Sequence, residues 1–278
     1  MKKGDPGQGL GFQKVYDLEE LPWEDPLNLK MDFGLLRLHE GQDFEPAKGK
    51  ERALLLLSGE GVLEWSDPVE GKEFSDKARR GSLFEENPSC LQVPGAADVR
   101  VRALDDRFEM AVLATPNDRV FSPVLYSPEQ CGSEERGKGT LGETSTRIVR
   151  TIFDKSNAPD SELVLGEVVN FPGKWSSYPP HRHPQPEIYH YRFFPENGFG
   201  FSMLGEDAVQ VRHRESTLIF DQYHSQAAAP GYAMYYVWAI RHLKDNPYGQ
   251  EFGTPIFDEQ HLWVTDPDQQ GRIFNRKG

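Results

Sequence analysis

Short runs of branched and aromatic residues recur along the whole chain, separated by glycine and proline, and this punctuation restricts the fold more than any other feature. The runs at 52–57, 98–104, 108–113, 147–153, 163–171, 187–194, 208–213 and 232–240 each have strand length and strand composition. The 26 glycines and 21 prolines between them are spread throughout rather than gathered into one linker. Amphipathic helical patterns are scarce: the acidic stretch 17–24 has room for one turn, and 258–265 reads as short helix or strand. The pattern predicts an all-β protein.

At 278 residues the chain can form one large β domain or two units of about 130 residues, each able to bury its own core. A search for internal symmetry supports two. Phe84-Glu85 matches Phe220-Asp221, Ser89 matches Ser225, Pro94-Gly95 matches Pro230-Gly231 and Glu51 matches Glu187, all at one offset, 220 − 84 = 136. The expected organisation is a first unit over 1–130, a connection over 131–146 and a second unit over 147–278. The stretch 127–146 is polar and glycine-rich and reads as a solvated connection, although its Arg136-Gly-Lys138-Gly could also form a basic loop over an anion.

Thirty-one basic against 44 acidic residues leave a net charge of −13, which repels nucleic acid phosphates and anionic lipid heads. A few buried arginines can still make a local site for a small anion inside such a protein. The longest aliphatic run, 53–57, is far shorter than the ~20 residues of a membrane-spanning helix. With only Cys90 and Cys131 and no basic-then-apolar leader, a reducing cytoplasm is the expected location. No nucleic acid or membrane partner is expected.

Chemistry concentrates in the second half. His181 and His183 lie at i and i+2, which in extended chain points both rings to one side, and Glu187 keeps the same parity. Prolines 179, 180, 184 and 186 stiffen the segment and suit a barrel rim. His224, in the run Phe220-Asp-Gln-Tyr-His224-Ser-Gln, completes a set of three imidazoles and a carboxylate that suits a divalent transition metal (Zn, Mn, Fe, Co or Ni) with open positions for substrate oxygens. A single histidine would more often be an ordinary loop or core residue; four groups in this order reverse that balance. At the offset of 136 the histidines fall on Glu45, Ala47 and Pro88, so only the second unit is expected to hold a metal. His39 lacks partners at ligand spacing, and His190, His213, His242 and His261 read as ordinary, His190 being near enough in sequence to orient a ligand.

The His-x-His, the glutamate and the later histidine resemble the ligand pattern of the cupin superfamily. That resemblance implies a bicupin, two tandem jelly-roll β-barrel units. Within it, His181-Arg-His183-Pro-Gln-Pro-Glu187-Ile-Tyr-His-Tyr-Arg192-Phe, then Gly198-Phe-Gly-Phe, then Tyr223-His224-Ser-Gln-Ala-Ala-Ala-Pro-Gly231-Tyr, then Tyr235-Tyr-Val-Trp238, resemble the 5-deoxy-glucuronate isomerase family of bacterial inositol catabolism. The resemblance implies an aldose–ketose isomerisation of 5-deoxy-D-glucuronate to 5-dehydro-2-deoxy-D-gluconate. A related family acting on a pectin-derived hexosulose uronate has a similar ligand set with one more residue before the glutamate, which leaves Glu187 as ligand, proton-transfer base or both.

For a sugar acid, substrate contacts are expected from Tyr189, which shares the parity of Glu187 as Tyr191 does, and from Arg182 and Arg192 at the carboxylate, with Arg241 and Lys174 behind them. A cupin dioxygenase would need a mainly apolar oxygen pocket, and a sugar sensor an attached DNA-binding unit with a basic helix; the polar surroundings disfavour the first, and the lack of such a helix at either end of this acidic chain the second. In 233–240 both strand faces are apolar. The face with Met234, Tyr236, Trp238 and Ile240 reads as an outer one that the other unit, a terminal segment or a second subunit of a homo-oligomer must cover.

Overall fold

The computed structural model describes residues 1–249 and 255–274. They form two β-barrel units packed through their sheets, with regular structure almost entirely strand and helix confined to short 3-10 turns such as Leu18–Glu20 and Leu262–Thr265. The first unit is an antiparallel sheet ordered Val124–Tyr126, Cys90–Val93, Glu51–Asp67, Glu109–Thr115, Asp32–Arg37 and Gly11–Tyr16. The long Glu51–Asp67 strand leaves this path after a bulge between Leu56 and Ser58, and its second half pairs with Lys72–Arg80 and Val99–Ala103 to close the barrel. Gly59 permits the bend: its φ is +84°, and a Cβ there would stand 2.7 Å from the Phe108 backbone.

The second unit sets a seven-stranded sheet against a five-stranded one. The larger is ordered Lys2–Lys3, Ser216–Ile219, Glu187–Phe194, Ala233–Arg241, Leu163–Asn170, Arg147–Phe153 and Glu134–Arg136; the smaller is Asp207–Arg212, Phe199–Leu204, His224–Ala228, Trp175–Arg182 and Ile256–Phe257. Two edge strands depart from the sequence division. Glu134–Arg136 pairs with Arg147–Val149 although its surroundings are polar and aperiodic, and Lys2–Lys3 pairs with Ser216–Thr217 of the second unit.

Strand alternation gives each large sheet one face for its own barrel and one for the other unit. Phe33, Leu35, Ala53, Leu55, Ala111 and Leu113 of the first unit form one buried cluster with Leu163, Leu165, Ile188, Leu218, Tyr235, Val237 and Ala239 of the second. The first barrel is filled by Leu54, Leu56, Leu63, Val99, Val101 and Met110, all apolar. The second interior carries Tyr189, Tyr191 and Tyr236 among its apolar residues, a lining that can hold hydroxyl groups.

The repeat is one of topology, and the single offset of 136 is not its register. Glu51 faces the other unit, accepting hydrogen bonds from Gln92 Nε2 (2.9 Å), Ser161 Oγ (2.6 Å), Asn117 Nδ2 (2.8 Å) and the Glu162 N–H (2.8 Å), whereas Glu187 faces its own barrel interior. Equivalent positions must share a face, so Glu51 is not the counterpart of Glu187. The matched Pro-Gly turns also lead into unlike strands. Val99–Ala103 closes the first barrel, while Ala233–Arg241 lies at the centre of the larger second sheet, where its counterpart is Glu109–Thr115. The faces of Ala233–Arg241 are likewise exchanged: Tyr235, Val237 and Ala239 meet the other unit, and Met234, Tyr236 and Trp238 turn into the barrel.

Candidate metal centre and cavity

The centre is built where the two sheets of the second barrel approach each other. His181 and His183 are carried by the proline-stiffened Trp175–Arg182 strand and the turn after it; in register, His181 stands opposite His224, first residue of His224–Ala228. Glu187 opens an inner strand of the facing sheet, between Ile219 and Ile240. One ligand atom from each of the three histidines lies within 4.8 Å of the others. Ring centroids are 4.4 Å apart for His181 and His224 and 5.4 Å for His183 and His224. Glu187 Oε2 is 3.2 Å from His183 Nε2 and 3.4 Å from His224 Nε2.

Hydrogen bonding sets the tautomers. The Nδ1–H of His183 donates to the Gln185 carbonyl at 2.9 Å and that of His224 to the Gln222 carbonyl at 3.0 Å, which leaves both Nε2 lone pairs directed at the carboxylate. His224 Nε2 and His181 Nδ1 are buried with no protein partner. Burial, reinforced by the other imidazoles, depresses His224 far below the usual histidine range and pushes His181 down to about 4. Burial raises the Glu187 carboxyl, with His183 opposing. Imidazole nitrogens converging on a carboxylate, two of them buried with no protein partner, form a ligand set that a divalent cation would satisfy.

A cavity of about 930 Å³ opens beside this cluster and reaches His181 and Glu187. Its walls include Ser177, Tyr189, Tyr236, Trp238, Arg136 and Arg147, with Tyr248 and Phe257 from the C-terminal segment. The Tyr189 and Tyr236 rings stack at 4.6 Å, and their hydroxyls lie 3.3 and 3.4 Å from Ser177 Oγ. Tyr236 also donates to Ser176 Oγ at 2.8 Å. Phe257 packs on His181 and Tyr248 on His183, with ring centroids 5.7 and 4.9 Å apart.

Of the expected residues, His181, His183, Glu187 and His224 come together and Tyr189 lines the cavity beside them. The expected arginines do not. Arg182 alternates with two inward histidines, so it turns outward and pairs with Asp221 at 2.8 Å. Arg192 is five residues from Glu187, the opposite parity, and is buried against Glu109 of the first unit at 3.0 Å. Arg241 is tied to Thr115 and Glu162 between the units, and Lys174 lies over the Phe171 ring. His190, on the face of Arg192, bonds Ser216 Oγ at 2.9 Å and orients no ligand; His39 is exposed beside Asp106. Tyr236, on the cavity wall, lies inside the Tyr235-Tyr-Val-Trp238 motif but is not among the expected site residues; Arg147, also on the wall, carries no motif, and its one signal is the inward alternation it shares with Val149.

A family model described as the KduI/IolB family matches residues 26–264. Among curated proteins, a 5-deoxy-glucuronate isomerase of Listeria monocytogenes is 27% identical over 275 residues, covering 93% of this chain and 94% of its own. One of Geobacillus thermodenitrificans is 29% identical over 227 residues, 73% of this chain and 79% of its own. Among solved structures, an IolB-like protein of Salmonella typhimurium superposes with a TM-score of 0.81 at 24% identity over 95% of this chain and 99% of its own. An oxalate decarboxylase of Lactobacillus farciminis, in a formate complex, does so at 0.65 and 12% over 99% and 92%. No helix among the described residues is long and apolar enough to cross a membrane.

Proposed function

The chain belongs to the KduI/IolB family, and from that premise we propose that it isomerises 5-deoxy-D-glucuronate to 5-dehydro-2-deoxy-D-gluconate, an aldose-to-ketose step of inositol catabolism. Relatives named for this activity support the reading. The observation that carries it is the convergence of three imidazoles and one carboxylate on the wall of a hydroxyl-lined cavity.

His181, His183, His224 and Glu187 are the residues that would hold a divalent transition metal. A metal held there would supply the Lewis acidity that polarises the aldehyde and acidifies the C–H beside it. Glu187 is the group placed to take that proton and return it to the neighbouring carbon, because no other carboxylate of the described chain reaches the histidines. Tyr189 stands between this carboxylate and Ser177, where its hydroxyl can hold a substrate hydroxyl. Tyr248 and Phe257 cover the imidazoles and exclude water from the reacting end.

The test measures ketose formation from 5-deoxy-D-glucuronate by NMR, together with metal content, for the wild type, His183→Ala and His224→Ala. The expected result is turnover by the wild type and loss of most metal and activity in both variants. Full metal content in the variants overturns the ligand assignment, and a wild type that holds metal yet forms no ketose overturns the reaction.

A further inference from the structure

We propose that Arg147 is the anchor for the carboxylate end of the sugar acid, a specificity residue on the wall of the cavity that His181 and Glu187 also line; this rests on the isomerase reading above. A uronate that presents its aldehyde to the His/Glu cluster must place a carboxylate several bonds away, and an anion inside a cavity needs a cation with free donors. Three cations line the wall. Lys155 gives its ammonium to the carbonyls of Pro159 (3.0 Å) and Ser161 (2.5 Å), and Arg136 is held by Glu134 at 2.7 Å. Arg147 makes one side-chain hydrogen bond, to the Ser145 carbonyl at 2.9 Å, and among the described residues it has no carboxylate partner.

Arg147 opens the 147–153 strand with its side chain turned into the cavity, as Val149 and Thr151 are. It shares that wall with His181, Glu187, Tyr189, Ser177 and Tyr236. The wall thus offers Glu187 beside the histidines for the reacting end, the linked hydroxyls of Tyr189, Ser177 and Tyr236 for substrate hydroxyls, and the Arg147 guanidinium for the anion. No carboxylate of the described residues pairs with this partly buried guanidinium, and burial accordingly lowers its pKa. Arg147 is thus placed for the role expected of Arg182 and Arg192.

The experiment compares Arg147→Met and Arg147→Lys with the wild type on 5-deoxy-D-glucuronate and on 5-deoxy-glucose, the same aldose without the carboxylate. Arg147→Met is expected to lose kcat/KM on the acid by roughly 30- to 100-fold, chiefly through KM, the scale of a lost charge-assisted hydrogen bond, while the neutral aldose is unaffected. Arg147→Lys should recover part of the loss, and metal content and Tm should match the wild type. An unchanged preference for the acid in Arg147→Met, or equal losses on both sugars, overturns the proposal. If the wild type turns over neither sugar, the isomerase reading fails separately, and calorimetry with gluconate still decides the anchor. Binding lost on Arg147→Met supports it; binding retained, or absent from the wild type, overturns it.

Discussion

At the scale of single residues the site separates positions fixed by local alternation from those fixed by the assembled barrel. His181, His183 and Glu187 lie within seven residues and on one parity, and Tyr189 follows from the same rule. Arg192 fails that rule and Arg182 alternates against the histidines, so residues close in sequence point away from the cavity. Arg147 and Tyr236 enter from strands distant in sequence, and only sheet closure brings them to one wall. Glu187 yields a prediction at this scale. The three imidazoles already converge within 4.8 Å, so Glu187→Gln, which keeps the side chain's shape, should retain metal while losing turnover by ~10²-fold or more, as for a missing general base. Metal analysis beside single-turnover kinetics reads both quantities, and metal lost with the carboxylate would make Glu187 chiefly a ligand. In D₂O the wild-type product should carry deuterium at the carbon that becomes CH₂OH; product free of solvent deuterium would favour a hydride shift or a base shielded from solvent.

At the scale of elements, many of the strands were legible because branched and aromatic runs between glycines and prolines leave few alternatives to antiparallel sheet, while their order in the sheets was not. Nor was the facing of a doubly apolar strand. Ala233–Arg241 is apolar on both sides because one side meets the other unit and the other lines a cavity, and neither periodicity nor composition distinguishes these surroundings. The neighbouring Leu163–Asn170 strand records which side is which. A Cβ on Gly166 would come within 2.3 Å of the Trp238 ring and 2.6 Å of the Arg150 carbonyl oxygen, so the absence of a side chain lets Trp238 lie flat along the cavity wall. Gly166→Ala should cost ~1–3 kcal/mol by overpacking and push the indole toward the substrate space. Denaturant unfolding measures the first effect. Adding Trp238→Leu should recover part of the stability, and no recovery would place the clash on the Arg150 carbonyl alone.

At the scale of the whole molecule, the second unit holds the candidate site and the first supplies the surface on which the sheet bearing Glu187 is laid. The joint is apolar at its centre and ionic around it. Arg80 reaches from the first unit to Glu167 at 2.6 and 2.8 Å, and Arg150 and Tyr235 converge on the same carboxylate. Glu109 reaches the other way, to Arg192 at 3.0 Å and Arg214 at 2.7 Å, with His190 and His213 behind those arginines. Burial by itself would raise the Glu109 pKa; the two guanidiniums outweigh it and hold the carboxyl below its ordinary value. A carboxyl depressed in the folded state contributes stability above its unfolded pKa, and that contribution is lost as pH falls through the folded value. Glu109→Gln leaves two buried arginines short of a counter-charge and should cost ~3–5 kcal/mol near pH 7. The gap between wild type and variant should close as acid protonates the wild-type carboxyl, while the burdens of charging His190 and His213 and of releasing metal fall on both proteins and largely cancel. Urea unfolding at pH 7 and at successively lower pH measures the gap. A gap that persists unchanged into acid would mean that shape rather than charge at Glu109 joins the two units, and would move the weight of the joint to Glu167 and the apolar cluster beside it.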